Sequence, residues 1–406
     1  MTPTIAGGDG TVVSPSGSAQ WYDLPDDLLG NIRLRIASQR DRARLAAVCK
    51  SWRAALARIP APAVAPLLLL LPRALSGRTK RLCGGGPDDG WDMPIPDKVA
   101  GYFLLGSHDG AWVAAFNLIK HELVLLDLFS SKAMVVSSCG YPWKDPWYNN
   151  LILNHFVFSD DPDSSDGCIL ATITDYSHEI ALYKYKVGCR SEWTTHGWEG
   201  KTFKGIAFCS GDLYGLAYPG EDLVKFEIDM EKDGSLVVKS VHLLAIQRRH
   251  GPVENEDPLV YECYILELHG KPSKAVRARW LRNCEPFFKV FELVDANVGE
   301  AYQHKWIEVT WFGDYALFLG PARSKAVHVP VGVEHCGFKR NHIYYSIAIH
   351  SITSDLHGDE VYSLKLDNGG LMSCREDKSI GDGLGRTGYW MTGLDNNSMW
   401  LDLPYL

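Results

Sequence analysis

The spacing of hydrophobic positions changes once along the chain, near residue 60. Before it, Leu28, Leu29, Ile32 and Ile36 recur at helical intervals, and Leu45, Val48, Cys49, Trp52 and Leu56 do so again. Such a stripe is the buried face of an amphipathic helix, so two or three short helices are predicted from Trp21 onward. Asp23 is placed to cap the first, Pro25 suits a first helical position, and Asp26 and Asp27 favour the positive end of its dipole. The next helix is expected to start around Asp41.

After residue 100 the period shortens. Runs such as YFLLGS, AWVAAF, ELVLLDLF, CILATIT, IALYKYKV, KWIEVTWF and HIYYSIAI are separated by Gly, Asp, Asn and Pro. Short apolar or alternating runs bounded by turn residues read as strands, so this part is expected to be all β. Two stretches carry neither pattern. Residues 1–20 are mostly Gly, Ser, Pro and Thr and are expected to form a disordered tail. Residues 60–99, with Gly84-Gly85-Gly86-Pro87 and Pro94-Ile95-Pro96, are expected to be a linker. The apolar run Val64 to Pro72 reads as a buried part of it, far short of the roughly 20 residues that span a bilayer. The expected division is thus tail 1–20, helical module 21–59, linker 60–99 and β domain 100–406.

Weak repeats suggest how the β domain is built. Gly110 to Val113 leading to Leu123 to Asp127 has the same two-strand form as Gly211 to Tyr214 leading to Leu223 to Asp229. Arg340 to Tyr344 leading to Glu360 to Asp367 resembles both. The closing Asp127, Asp229 and Asp367 lie 102 and 138 positions apart. Two and three propeller blades of roughly 45 to 50 residues would span those intervals. Six or seven blades are expected, with a pair of β-sandwiches as the alternative fold.

Composition supports a folded protein: 46% of the 406 residues are hydrophobic, and 13 Trp, 18 Tyr and 14 Phe can fill a large core. The net charge of -8 offers nucleic acid no general footprint, and no nucleic-acid or membrane partner is expected. Between Gln20 and Ile59, however, eight basic residues face four acidic ones, a local +4 that leaves -12 elsewhere. Ten cysteines without a CxxC pair read as buried thiols of a reducing compartment, cytoplasm or nucleus.

Catalytic chemistry is sparse. Gly383 to Gly388 matches GxGxxG, but with 18 residues left no βαβ unit can follow, so a glycine-rich loop is expected. Asp160, Asp161, Asp163 and Asp166 lack the glycine and glutamate of a calcium loop and read as a solvated turn. His350, Asp355 and His357 lack zinc spacing. No catalytic residue, cofactor or metal ligand is assigned. Trp143, Trp147, Tyr148, Trp193, Trp198, Trp311 and Trp390 are candidates for core packing or for an interface.

Two resemblances give these parts a role. Leu24 to Leu29, LPDDLL, followed by Arg42 to Arg53, RARLAAVCKSWR, resembles the F-box. That resemblance implies docking on a Skp adaptor of an SCF-type cullin-RING ubiquitin ligase through Leu24, Pro25, Leu28, Leu29, Ile32, Leu45, Val48, Cys49 and Trp52. Arg33, where the family commonly has Leu, and Gln39, at a place often apolar, depart from the pattern; they could weaken docking without abolishing it, since the central pattern remains. Glu192 to Thr195, Lys204 to Leu216, Trp306 to Val309, Gly313 to Gly320 and Lys339 to Tyr345 resemble the C-terminal domain of the KIB-like group of plant F-box proteins. This implies a β-propeller, without naming a target. The expected protein is mainly β with a small all-α N-terminal module: a non-catalytic receptor whose helices hold an adaptor and whose propeller presents a target for ubiquitination. A propeller enzyme and an F-box scaffold that delivers nothing are the alternatives.

Overall fold

The computed structural model describes residues 21, 24–36, 41, 44–45, 47–58, 66–72, 79–83, 90–108, 112–117, 120, 122–128, 132–136, 156–174, 179–187, 191–198, 200–217, 222–230, 236–247, 259–279, 286–297, 302–320, 322–329, 339–346, 361–365, 371–377, 385–392 and 396–401. The chain divides into two compact units, the first ending at Ala61 and the second running from Pro62 to Tyr405.

In the first unit, helix α1 spans Asp26–Arg35 and α2 spans Lys50–Arg58. Pro25 is the N-cap of α1, one place earlier than expected, and its carbonyl accepts the Leu28 and Leu29 N–H groups, both at 3.1 Å. Asp23 lies outside the described residues. Asp41, Arg44, Leu45 and Ala47 are helical, but Val48 and Cys49 are not. The second stripe therefore runs over two segments rather than one helix. Cys49 explains the restart: its Sγ accepts the Trp52 N–H at 3.4 Å and its carbonyl the Arg53 N–H at 3.1 Å, the geometry of an N-cap.

The second unit is built from antiparallel meanders. The first comprises β1 (Leu67–Pro72), β2 (Thr79–Cys83) and β3 (Gly90–Pro94), and the second β4 (Phe103–Ser107), β5 (Trp112–Asn117), β6 (Glu122–Asp127) and β7 (Ala133–Val136). The third holds β8 (Val157–Phe158), β9 (Cys168–Ile173), β10 (Glu179–Tyr185) and β11 (Thr194–Gly197), and the fourth β12 (Phe203–Cys209), β13 (Asp212–Ala217), β14 (Asp222–Met230) and β15 (Leu236–Leu243). After the short β16 (Ile246–Gln247), the fifth holds β17 (Leu259–Leu268), β18 (Lys271–Arg279), β19 (Pro286–Asp295) and β20 (His304–Val309), with β16 parallel to its outer strand.

The next sheet breaks the rule. Its strands are β21 (Tyr315–Leu319), β22 (Lys325–His328), β23 (His342–Ser346), β24 (Val361–Lys365), β25 (Leu371–Asp377) and β26 (Gly385–Thr392), ordered β22-β21-β23-β26-β25-β24. The β21/β23 and β23/β26 pairs are parallel. The last strand, β27 (Asn396–Leu401), pairs antiparallel with β1 and gives the first meander its fourth strand.

Among the described residues the propeller thus has five blades, each based on a four-stranded antiparallel meander, and not the six or seven expected. The repeat count failed at its third unit. β5/β6 and β13/β14 are adjacent antiparallel pairs, whereas β23 and β24 are separated by β26 and β25, so Arg340 to Asp367 is not a further copy. The mixed sheet stands between the fifth and first blades, with β22 against β17 and β26 against β27.

Residues 60–99, expected to be a linker, instead contain the three strands of the first blade. Leu68 and Leu69 are buried in β1, which fits a short apolar run covered on both faces. Gly385 to Gly388, expected in a glycine-rich loop, lies in β26, while Gly383 and Leu384 fall outside the described residues.

Core clusters lie between successive sheets. Leu69, Val113 and Met399 meet between the first and second blades, and Phe116, Phe156 and Leu170 between the second and third. Ile180, Leu213 and Phe226 follow, then Leu216, Ile265 and Trp306, then Leu266, Phe288 and Ile343 against the mixed sheet. Because each sheet packs on both sides, strands such as WVAAF are buried nearly throughout.

Candidate functional site

The helical module has a small core of Leu29, Leu45, Trp52, Ala55 and Leu56, against which Leu24, Ile32, Ile36 and Cys49 pack. Polar links fix its two helices. The Trp52 indole donates to the Trp21 carbonyl at 2.8 Å, and Arg58 meets Asp26 at 2.7 Å. Buried Arg33 donates from Nη1 to the Leu56 carbonyl at 2.8 Å, joining α1 to the last turn of α2.

The nine residues expected to bind the adaptor fall into three groups. Leu29, Leu45 and Trp52 are core residues, Trp52 being only 7% exposed. Leu24, Ile32 and Cys49 are half-buried around them. Pro25, Leu28 and Val48 are exposed, Leu28 at 46% and Val48 at 59%. Pro25 and Leu28 share one turn. The apolar surface open to a partner is therefore narrower than the sequence pattern suggested, and the other residues build the support for it. Arg33 has a structural task that its charge did not announce, while Gln39 lies outside the described residues.

In the propeller, the two best-defined family-like segments are neighbours. Ala316, Leu317, Phe318 and Leu319 pair in parallel with His342, Ile343, Tyr344 and Tyr345. Arg340 meets Asp314 at 2.7 Å, and the Asn341 side-chain oxygen accepts the Phe312 N–H at 2.8 Å. These segments are a folding seam. The remaining sequence candidates are scattered: Trp193 packs on Tyr183 and Phe156, and Trp311 is exposed. The Asp161 carboxylate accepts the Asp163 N–H at 2.7 Å, and Lys132 meets Asp163 at 2.5 Å. Trp143, Trp147, Tyr148, His350, Asp355 and His357 lie outside the described residues.

Among the described residues no group of three or more His, Cys, Asp or Glu is placed to hold a metal ion. Burial pushes the Cys168 thiol up to about 12, helped by Asp160 and Asp161, and raises Cys209 further, so neither is a poised nucleophile. Sequence reasoning missed a cavity of about 350 Å³ lined by the second to fifth blades and the mixed sheet, where His108, Glu267, His269, Tyr315, Arg323 and Lys325 converge. One signal was legible: His269-Gly270 between two strand-like runs is a hairpin turn.

Comparison with known proteins agrees with this division. A family model described as F-box-like matches residues 21–59, and one described as KIB1-4 beta-propeller matches residues 87–379. No curated protein matches the chain. Among solved structures, a luciferin-regenerating enzyme is 10% identical, with 84% of this chain and 95% of that one covered at a TM-score of 0.32. A putative 6-phosphogluconolactonase from Bacteroides uniformis is 11% identical, covering 84% of this chain and 99% of that one at 0.28. Kluyveromyces lactis Hsv2 is 9% identical, covering 61% and 98% at 0.24. Likeness at this level says nothing about activity.

Proposed function

Because the chain belongs to the KIB1-4 β-propeller family and carries an F-box-like module, we propose that it is the receptor subunit that couples a Skp adaptor to a target protein. The two matched domains are the organisation of an SCF-type substrate-recognition subunit, a non-catalytic role. An F-box implies partnering with a Skp adaptor, and through it with a cullin-RING ligase. The observation that carries the finer reading is the exposure of Pro25, Leu28 and Val48 on a module whose other matching residues are occupied in its core. Exposed apolar side chains held by a rigid core suit a partner interface.

The mechanism is proximity. Holding a target near a ubiquitin-charged enzyme raises its effective concentration, with no acid, base or nucleophile supplied by this chain.

Co-purification with a Skp adaptor tests the reading. Leu28→Ala with Val48→Ala should leave thermal stability within about 0.5 kcal/mol per site, as expected for surface positions, while adaptor capture falls at least about tenfold. Trp52→Ala should act differently, destabilising the module by about 3–5 kcal/mol through loss of its core. Undiminished capture by the double variant would overturn the assignment. If captured targets live equally long without this protein, it acts as a scaffold.

A further inference from the structure

The propeller cavity is the strongest feature that adaptor docking leaves unused. Its lining combines apolar Val157, Phe158 and Ile206 with polar residues distant from one another in sequence. Arg323 and Lys325 are the arginine and lysine side chains of the lining, and Glu267 is its one carboxylate. That carboxylate already accepts the Ser210 N–H at 2.6 Å. His269 Nδ1 lies 2.5 Å from Glu292, and its ring meets Tyr315 edge-on at 5.1 Å.

The turn that carries His269 is tied to a neighbouring turn outside the cavity lining. Ser210-Gly211 and His269-Gly270 are both in the left-handed region, with φ of 50° and 89° and of 52° and 73°. Successive positive φ values are those of tight hairpin turns that match strand twist. The Ser210 hydroxyl donates to the Gly270 carbonyl at 3.1 Å, which ties the turn of the fourth blade to that of the fifth. His269 is thus held in a backbone conformation uncommon for its residue type.

We propose that this cavity binds an anionic group, a phosphate or carboxylate, with Arg323 and Lys325 as the charged contacts and His269 and Tyr315 as positioning hydrogen-bonding groups. Charge-assisted hydrogen bonds from a guanidinium and an ammonium favour such a group. A volume of about 350 Å³ suits a small acid or one acidic or phosphorylated side chain. If the group arrives on a peptide, the cavity is the target-reading site of the receptor proposed above, and that part rests on the receptor reading.

Thermal unfolding of the full chain in inorganic phosphate, against chloride at matched ionic strength, tests the proposal. The wild type should show a rise in Tm that grows with phosphate, and the Arg323→Gln, Lys325→Gln double variant should need at least about tenfold more phosphate for the same rise. If the double variant does not fold, Lys325→Gln alone and calorimetric titration of the wild type with phosphate answer the same question. A phosphoserine peptide that shifts Tm where its unphosphorylated twin does not identifies a peptide source. A response confined to phosphate and free small acids identifies a metabolite. Equal responses of wild type and variant, or none to phosphate, acid or peptide, overturn the proposal. Failure here is separable from failure of the receptor reading, because Leu28→Ala with Val48→Ala leaves the phosphate response intact and the cavity variant leaves adaptor capture intact.

Discussion

Gly106 shows how tightly single residues set this structure. A Cβ built there would fall 2.2 Å from the Phe156 carbonyl oxygen and 2.6 Å from the Phe156 Cβ, so the third blade approaches the second only because the side chain is absent. Gly106→Ala should lower stability by about 1–3 kcal/mol, read as a shift of the urea midpoint at unchanged slope. Other residues are equally specific and much less legible. Lys274 is buried over the rings of Trp306 at 4.6 Å and Phe291 at 5.2 Å, and Arg277 over Tyr345 at 5.8 Å with Glu262 at 3.6 Å. The strand KPSKAVRAR reads as a solvated edge, because charge is ordinarily a surface signal and its aromatic partners lie on other strands or another sheet. Leu29 and Trp52, by contrast, were legible as buried, since helical spacing places each on an apolar stripe. What spacing did not reveal is that Leu28 and Val48 are exposed, Val48 where the second stripe is interrupted.

At the scale of elements, β27 does the most. It pairs with β1 over six residues, and Trp400 carries the contact outward: its indole donates to the Leu319 carbonyl at 2.8 Å, and its own carbonyl accepts the Ser107 hydroxyl at 2.7 Å. One residue, through its indole and its backbone carbonyl, thereby joins the mixed sheet and the second blade to the first. Trp400→Phe removes the only donor on that ring and leaves the buried Leu319 carbonyl without it, for a cost of about 1–3 kcal/mol in chemical denaturation. Strand existence was readable because runs such as WVAAF and ELVLLD are bounded by turn residues. Strand partnership was less so. The β21/β23 and β23/β26 pairs are parallel and joined by crossovers, and no local period marks such a pairing. The same limit hid the first blade: TKRLC and GWDMP pair locally with β1 and with each other, but the sheet's fourth strand, β27, comes from the far end of the chain.

For the whole molecule, the buried ionisable groups set an alkaline limit. Burial, with a hydrogen bond to Glu122, pushes Tyr102 up from 10.0 to about 12, and burial lifts Cys168 from 9.0 to about 12. Burial also holds Tyr264 well above its ordinary value. Each folded-state value is raised, so the folded protein keeps protons that the unfolded chain releases. Their contribution is complete below pH 9.0 and is lost as pH rises toward about 12. Urea midpoints should hold steady below pH 9.0 and decline above it, and Cys168 should resist alkylation in the native protein until the same range. A flat midpoint through this range would contradict the burial. The pairing of β1 with β27 has a further consequence, in the order of synthesis. Every other described strand of the propeller emerges before β27, so during translation the first blade waits with an open edge for this partner. A chain interrupted anywhere before Asn396 would carry that edge permanently, making prematurely ended products of this protein prone to aggregation and to quality-control clearance even when most of the ring has formed.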